Sequence, residues 1–255
     1  MSLLNRIIPV LLIHNGGLYK TRLFSAPKYV GDPINAVKIF NQKQVDELFL
    51  IDIDATVSSL EPNYSLIEKL ASECRMPLCY GGGIKRVDQF ERLIGLGVEK
   101  VSISSASIDD PSLISSASQL VGSQSVVVVV DVRPSRLFPK RYIISTHNNR
   151  IRCSIDLIQY LSSLQSSGVG EIVLNSVDRD GTKSGYDLDL LNLVYPLVTV
   201  PLTIMGGASS FHEIHSLSSK YSSLGFAAGS ICVFHGKYNA VLIQYPLVEE
   251  RLLRS

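Results

Sequence analysis

An acidic, glycine-containing loop follows a largely apolar run in the second half of the chain. Residues 171–177 have the pattern of a buried strand, and Asn175, Asp178, Asp180 and Gly181 lie at its end. In parallel α/β folds the functional groups sit at the carboxyl ends of strands. The loop is therefore a candidate site, although turn-forming aspartates and glycines that allow positive φ would give the same composition.

Pairs of small residues follow four other strand-like runs and could bind anions. Gly82-Gly83 and Ser104-Ser105 lie in the first half, and Gly206-Gly207 and Gly229-Ser230 lie in the second half. Glycine lets the backbone approach an anion closely, and a helix N-terminus adds a favourable dipole. The two pairs of each half would form one anion-binding corner, called below the first and second glycine corners. Two such corners on opposite sides of one cleft suit a long substrate with a phosphate at each end. Tight packing at the turns is the alternative explanation.

The elements that must hold these residues alternate between strand and helix patterns. Asp32-Pro33 is predicted to begin the first helix, with Asp32 as N-cap and Pro33 at the first position. A closing helix is predicted to contain Ala240, Val241 and Ile243. The predicted strands are residues 6–13, 47–53, 77–80, 100–103, 126–130, 171–177, 200–205 and 225–228.

The connection after the fifth predicted strand is unusually long. Within residues 132–153, two short β-rich runs flank a turn that contains Asn148-Asn149. This pattern predicts a small hairpin inserted after that strand.

The two halves of the chain resemble each other. Gly82-Gly83 and Gly206-Gly207 are 124 residues apart, and Ser104-Ser105 and Gly229-Ser230 are 125 apart. Halves of about 1–122 and 123–255 would each carry four βα units. This predicts one domain over residues 1–255, folded as a single (β/α)8 TIM barrel. An open doubly wound sheet does not predict equal halves.

Composition excludes several classes of partner. The net charge of +1 gives no support for nucleic acid or a membrane surface. The four cysteines form no CxxC and have no histidine at zinc-site spacing, so reduced thiols and no metal or cofactor are expected. The apolar run 7–13 reads as a strand and not a signal peptide, which favours the cytoplasm.

Six motifs spread along the chain carry a resemblance to a known family. They are Arg6-Ile-Ile, Gly31-Asp-Pro, Gly81-Gly-Gly-Ile, Lys100-Val-Ser-Ile, Gly122-Ser-Gln-Ser-Val-Val-Val and Asp178-Arg-Asp-Gly-Thr-Lys-Ser-Gly-Tyr-Asp187. With these motifs the chain resembles, over essentially its whole length, the cyclase subunit of imidazole glycerol phosphate synthase, a histidine-pathway enzyme. The resemblance implies a barrel that receives ammonia from a glutaminase subunit, its heterodimer partner, at the amino-end face. It also implies that the ammonia crosses the barrel to a bisphosphorylated ribulosyl substrate, which is cleaved as an imidazole ring closes.

The resemblance also implies roles for individual residues. Asp131 matches one of two catalytic carboxylates that act as general acid and base. One phosphate would be held by Gly83, Ser104 and Ser105. The second would be held by Asp180, Gly181, Gly207, Gly229 and Ser230.

The first strand departs from the family pattern. Leu12 stands where the family has its other catalytic Asp, and His14 and Asn15 replace a Lys and an Asp. Leucine cannot exchange a proton, and acid–base residues typically contribute about 10²–10⁴-fold. His14 is a candidate substitute, with a solvated loop histidine as the alternative. Ser104-Ser105 replaces an Asn-Thr pair and keeps hydroxyl and backbone donors.

The ammonia gate of the family is complete. Arg6, Glu47, Lys100 and Glu171 each begin a predicted strand and match a ring of two basic and two acidic residues at the amino end. The alternative explanation is that these four residues form purely structural salt bridges at the amino end of the barrel. A complete gate beside a missing acid favours ammonia handling over cyclisation.

Four further motifs carry a narrower resemblance. They are Tyr29-Val-Gly-Asp-Pro-Ile-Asn-Ala36, Glu61-Pro-Asn-Tyr64, Met76-Pro-Leu-Cys-Tyr80 and Val233-Phe-His-Gly-Lys237. They resemble a divergent branch of the family that is associated with surface-polysaccharide loci and is thought to supply ammonia for acetamidino sugars. The resemblance implies a downstream amidotransferase as a partner and a bisphosphorylated or phosphosugar molecule as a ligand.

Two other functions remain open: a working cyclase, and a scaffold that only activates the glutaminase. The related phosphosugar isomerase is not favoured, because it also relies on an Asp at the position of Leu12.

Overall fold

The computed structural model describes residues 5–135 and 141–246. The strands are β1 (Arg6–His14), β2 (Gly17–Arg22), β3 (Ser25–Gly31), β4 (Leu48–Asp52), β5 (Leu78–Gly81), β6 (Lys100–Ile103), β7 (Val126–Pro134), β8 (Tyr142–Thr146), β9 (Ile151–Asp156), β10 (Glu171–Ser176), β11 (Leu202–Met205), β12 (Leu224–Ala228), β13 (Phe234–His235) and β14 (Ala240–Val241). The helices are α1 (Pro33–Gln42), α2 (Tyr64–Glu73), α3 (Val87–Gly95), α4 (Ser105–Asp109), α5 (Ser112–Val121), α6 (Leu157–Ser166), α7 (Leu188–Val194), α8 (Phe211–Ser218) and α9 (Ser230–Val233).

Eight parallel strands close into a barrel in the order β1, β4, β5, β6, β7, β10, β11 and β12. Closure is made by β12 and β1, where Arg6 pairs with Gly225 and Pro9 with Ala228. Helices follow the strands and cover the outside. The predicted (β/α)8 barrel is therefore confirmed.

Side chains alternate between the barrel interior and the helical layer, because successive strand residues point to opposite faces. The outward residues join the main core beneath the helices. The inward apolar residues form a separate cluster in the middle of the barrel. Its buried members are Ile8, Val10, Phe49, Cys79, Val127, Val173, Met205 and Ala227.

Two antiparallel hairpins extend the barrel at equivalent places in the two halves. Strands β2 and β3 pair with each other and β2 pairs with β1, while β8 pairs with both β7 and β9. The predicted hairpin within residues 132–153 corresponds to β8 and β9, and residues 136–140 lie outside the described part. No strand was predicted between residue 13 and the helix start at Asp32-Pro33, so β2 and β3 were missed. The inward Lys20 interrupts the apolar alternation that would have marked β2.

The predicted closing helix is also wrong for the residues described. Ala240 and Val241 form β14, which pairs with β13, and no helix is present from residue 236 to residue 246. Positive φ at Gly236 and Asn239 reverses the chain before a helix can form. Tyr245 then donates from its hydroxyl to the Ile7 carbonyl at 2.9 Å, which ties this segment to β1.

Helix starts agree with local capping chemistry. The Asp32 carboxylate accepts from the Asn35 N–H, and Pro33 is the first residue of α1, as predicted. Within the described part of the chain, no helix has both the length and the apolar composition needed to cross a membrane.

Candidate functional site

A cleft opens at the carboxyl ends of the barrel strands. It holds about 1280 Å³ of space, including the part open to solvent. Every barrel strand contributes to its wall, so the cleft collects residues from the whole chain. One residue from each strand is Leu12, Asp52, Gly81, Ile103, Asp131, Asn175, Met205 and Ala227.

All residues predicted to bind phosphate line this cleft. Those of the first corner are Gly83, Ser104 and Ser105, and those of the second are Asp180, Gly181, Gly207, Gly229 and Ser230. Helices α4 and α9 begin at Ser105 and Ser230, so first-turn N–H groups are present at both corners. Phosphate binding itself stays a prediction.

The glycine turns have shapes that other residues would not tolerate. Gly83 and Gly207 have φ of +76° and +98°. A Cβ on Gly207 would lie 2.2 Å from the Gly185 carbonyl oxygen, and a Cβ on Gly83 would lie 2.6 Å from that of Leu60. Each turn therefore packs directly against the backbone of a neighbouring loop.

Repeat-related side chains hold these two turns. Gln89 Oε1 accepts from the N–H groups of Lys85 and Arg86 at 2.6 and 2.9 Å, and its Nε2 donates to Glu61 at 2.7 Å. Glu213 occupies the equivalent position in the second half. It accepts from the N–H groups of Ser209 and Tyr186 at 2.8 and 2.9 Å.

The carboxyl group of Asp131 is suited to proton transfer. Burial in the cleft raises the pKa of Asp131 to about 7, with a further rise from the charge of Asp180. The hydrogen bond from Asn175 Nδ2 to Asp131 Oδ1, at 2.7 Å, opposes this rise. A pKa near neutrality is the property required of a general acid or base.

We expect Asp131→Asn to stabilise the protein at alkaline pH. Because the folded pKa of about 7 exceeds that of an ordinary Asp, the folded state binds more protons between about pH 4 and pH 7. The parent protein therefore loses stability as pH rises through this window, whereas the variant does not. The difference between the folded pKa of Asp131 and the pKa of an ordinary Asp corresponds to roughly 4 kcal/mol at most. Because solvent screens this half-buried group, we expect the variant to gain about 1–3 kcal/mol in free energy of unfolding.

Urea unfolding at about pH 4, 6 and 8 measures this effect. Asp88→Asn is the matched control, because the hydrogen bond with Arg86 lowers the pKa of Asp88. That variant should lose a little stability at neutral pH and nothing in strong acid. A parent protein with constant stability from pH 4 to pH 8 would contradict the prediction for Asp131.

Leu12 lies in the cleft as an apolar residue with 8% of its surface exposed. The neighbouring strand supplies Asp52, which pairs in the sheet with Ile13 and also lines the cleft. Burial raises the pKa of Asp52 despite hydrogen bonds from the Ala55 and Asp54 N–H groups. Sequence reasoning did not select Asp52 as a site residue.

His14, the candidate substitute for the missing carboxylate, makes its contacts outside the cleft wall. Its Nδ1 lies 2.7 Å from Asp54 Oδ1, and its ring packs edge-on against Tyr19. His14 is not among the residues of the cleft wall. The strand end therefore turns this side chain towards the β4–α2 loop.

Lys20 is a cleft residue that sequence reasoning missed. It is only 6% exposed, and its Nζ lies 3.1 Å from Asp180 Oδ1. Its alkyl chain passes beside Gly229, where a Cβ would lie 2.6 Å from Lys20 Cε. An ammonium group thus stands at the second glycine corner, held by the carboxylate of Asp180. The position of Lys20 on the inward face of β2 could have indicated its role, but β2 was not predicted from the sequence.

A closed ring of charges lies at the opposite, amino end of the barrel. Arg6 bonds to Glu47 and Glu171 at 2.6 and 2.8 Å. Lys100 bonds to the same two carboxylates at 2.7 and 2.8 Å. Thr203 Oγ1 also donates to Glu171, at 2.6 Å. The structure therefore brings all four predicted gate residues together.

The two carboxylates of the ring differ in their surroundings. Burial would raise the pKa of Glu171, but the charges of Arg6 and Lys100 outweigh it and hold that pKa below the ordinary value. Burial and the nearby charge of Glu171 raise the pKa of Glu47. Of the two carboxyl groups in the ring, Glu171 is thus the more acidic.

Strand β10 connects the ring to the cleft. Its inward residues are Glu171 in the ring, Val173 in the apolar cluster and Asn175 in the cleft wall. These three residues span about 13 Å along the strand. Along the barrel axis the surroundings therefore change from the charged ring to the apolar interior and then to the polar cleft.

Comparison with known proteins gives matches over nearly the whole chain. A family described as "Histidine biosynthesis protein" matches residues 6–239. A protein of Vibrio vulnificus (strain YJ016), provisionally named as an imidazole glycerol phosphate synthase subunit of the HisF type, is 52% identical over 97% of this chain and 95% of its own length. A similarly named protein of Leptospira borgpetersenii is 47% identical over 94% of both chains.

Identity is lower to relatives with an unqualified name. Imidazole glycerol phosphate synthase subunit HisF of Lactococcus lactis subsp. cremoris (strain SK11) is 36% identical over 98% of this chain and 96% of its own length. The provisionally named proteins thus share more sequence with this chain than that relative does. This difference is consistent with a divergent branch of the family.

Proposed function

This chain belongs to the histidine biosynthesis protein family, and we propose that it is a cyclase-subunit-like barrel that conducts ammonia. A glutaminase subunit docks at the amino-end face, and its ammonia passes the ring of Arg6, Glu47, Lys100 and Glu171. The ammonia leaves at the cleft and serves an amidating enzyme of surface-polysaccharide biosynthesis. The two glycine corners hold a bisphosphorylated or phosphosugar ligand.

One observation carries this proposal: a complete charged ring lies beneath a cleft whose first strand presents Leu12. Cyclisation with two carboxylates needs a proton carrier at that position, and leucine has none. Movement of ammonia needs only the ring and an interior that excludes water and competing acids. The apolar cluster between ring and cleft supports that requirement.

A working cyclase is the second candidate function, and it is favoured by Asp131. Its raised pKa, about 7, fits general acid–base chemistry, and Asp52 supplies another carboxyl group to the same cleft. The relatives are named as synthase subunits, which also supports this reading. The two candidates predict different products from the same ammonia.

Reconstitution with the cognate glutaminase tests the proposal. Glutamate and imidazole product are measured together, with glutamine and the bisphosphorylated ribulosyl substrate supplied. We expect the barrel to raise glutamate formation while imidazole product stays at least about 100-fold below ordinary enzyme rates. Imidazole formation at ordinary enzyme rates would contradict the proposal that the barrel only conducts ammonia, and it would establish a working cyclase.

Ring variants then separate a conduit from a scaffold. Arg6→Ala and Lys100→Ala each remove one cation from the ring, and the amidated product of the downstream enzyme is measured with and without an ammonia scavenger. A conduit predicts that the variants lose scavenger-resistant product while glutamate formation continues. Unchanged downstream product would favour a scaffold that only activates the glutaminase.

A further inference from the structure

Asn175 carries a buried acceptor that no described residue uses. The side chain is 4% exposed, and Asn175 Oδ1 has no hydrogen-bond partner within residues 5–135 and 141–246. Leaving a buried acceptor without a donor is energetically unfavourable. Such a cost in a cleft residue points to a donor brought by a ligand.

The orientation of this amide is fixed by its other end. Asn175 Nδ2 donates to Asp131 Oδ1 at 2.7 Å. When Asp131 is ionised, rotating the amide by half a turn would bring an oxygen against the carboxylate, so Oδ1 is then the free atom. The two residues also pair directly in the sheet, Asp131 on β7 with Asn175 on β10. Amide and carboxyl group therefore form one rigid unit.

Strand formation does not require this amide. The backbone of β10 is paired on both sides, with β7 and with β11. Gly206 lies beside the amide oxygen, and a Cβ there would come within 3.0 Å of it. Glycine at 206 keeps that side of the oxygen free of side-chain atoms.

The position of the pair restricts the ligand. Asn175 follows Glu171 and Val173 on the inward face of β10, so the pair stands where the apolar interior meets the cleft. A ligand reaching it from below must be small enough to pass between buried apolar side chains. To be held by both groups, it needs more than one donor, one for the amide oxygen and one for the carboxyl group. Ammonia has three N–H donors and meets both requirements.

We propose that Asn175 Oδ1 and the Asp131 carboxyl group bind ammonia at the cleft end of the barrel interior. This inference rests on the proposed conduit and adds the place where ammonia is held before it reacts. Asn175 Oδ1 accepts a hydrogen bond from the bound ammonia, and Asn175 Nδ2 holds the carboxyl group of Asp131 in position.

Ammonium chloride titration of the full chain in complex with its glutaminase tests the site. The carboxyl carbon of ¹³C-labelled Asp131 is followed by NMR above neutral pH, with sodium chloride at equal ionic strength as the salt control. We expect a saturable shift with ammonium chloride alone. In Asn175→Leu the apparent affinity should fall at least about tenfold, the effect of losing one well-formed hydrogen bond.

Three controls make the result decisive. The Asp131 carbon is titrated with pH in each protein without ammonium, so that a changed pKa is separated from changed binding. Asn192→Leu removes an exposed amide that accepts from Tyr221, and it should leave the ammonium response unchanged. If Asn175→Leu fails to fold, Asn175→Val offers a residue suited to a strand that also lacks the acceptor.

Equal responses to both salts, or equal affinity in the parent and Asn175→Leu, would overturn the site. The ring variants judge the conduit separately. If the ring variants lose scavenger-resistant product but the Asp131 carbon shows no ammonium response, the conduit is supported and only the proposed ammonia site is refuted. An ammonium response with unaffected downstream product would leave the site and remove the conduit.

Discussion

Leu12→Asp is expected to raise imidazole formation by about 10²-fold or more, the contribution typical of one acid–base group. The substitution places a carboxyl group in a cleft that already holds Asp131 and both glycine corners. Because position 12 is nearly buried, the new carboxyl group should also cost stability at neutral pH. Imidazole product from free ammonia and the bisphosphorylated substrate is the measurement.

Leu12→Asn is the matched control. Asparagine has nearly the shape and polarity of aspartate but exchanges no proton, so it should stay at the level of the parent protein. Equal gains in both variants would mean that polarity, and not proton transfer, limits the reaction. No gain in either variant would mean that the leucine at position 12 is not the cause of the low rate of imidazole formation.

Glu171→Ala is expected to lower the free energy of unfolding by about 3–5 kcal/mol, as for other broken buried ion pairs. Glu171 accepts from Arg6, Lys100 and Thr203, and its side chain is 5% exposed. Its removal leaves two cations to share Glu47 and leaves the Thr203 hydroxyl without this acceptor. Urea unfolding at neutral pH measures the loss.

Glu73→Ala provides the comparison for that loss. Glu73 pairs with Lys38 at 3.6 Å, but both side chains are exposed. An exposed pair is worth about 0–1 kcal/mol, so this variant should unfold almost like the parent protein. Equal losses in the two variants would refute the view that the ring is a buried, mutually dependent unit.

Much of the architecture could be predicted because its signals are local or periodic. Strand runs are apolar and short, Asp32-Pro33 marks a helix start, and the glycine pairs recur 124 residues apart. The repeat spacing, and not any single strand, indicated a closed barrel of eight units. The same regularity predicted which residues reach the cleft, because parallel strands all end at one face.

The errors have a common physical origin. The helical spacing of Ala240, Val241 and Ile243 was overridden by a turn at Gly236 and Asn239. Lys20 was overlooked because its partner Asp180 is distant in sequence, and a buried lysine looks like a solvated one until that partner is known. Local patterns carry no information about such pairings.

The sequence by itself determined the barrel, because a barrel depends on strand order, and its resemblance to the family indicated the four ring residues and the significance of the leucine at position 12. Only the tertiary structure decided which polar atoms meet. Barrel closure brings Arg6 and Lys100 onto the same two carboxylates. The register of β7 against β10 sets Asn175 beside Asp131 and leaves its oxygen free. Hydrogen bonds depend on distances of a few ångströms, which residue order alone does not fix.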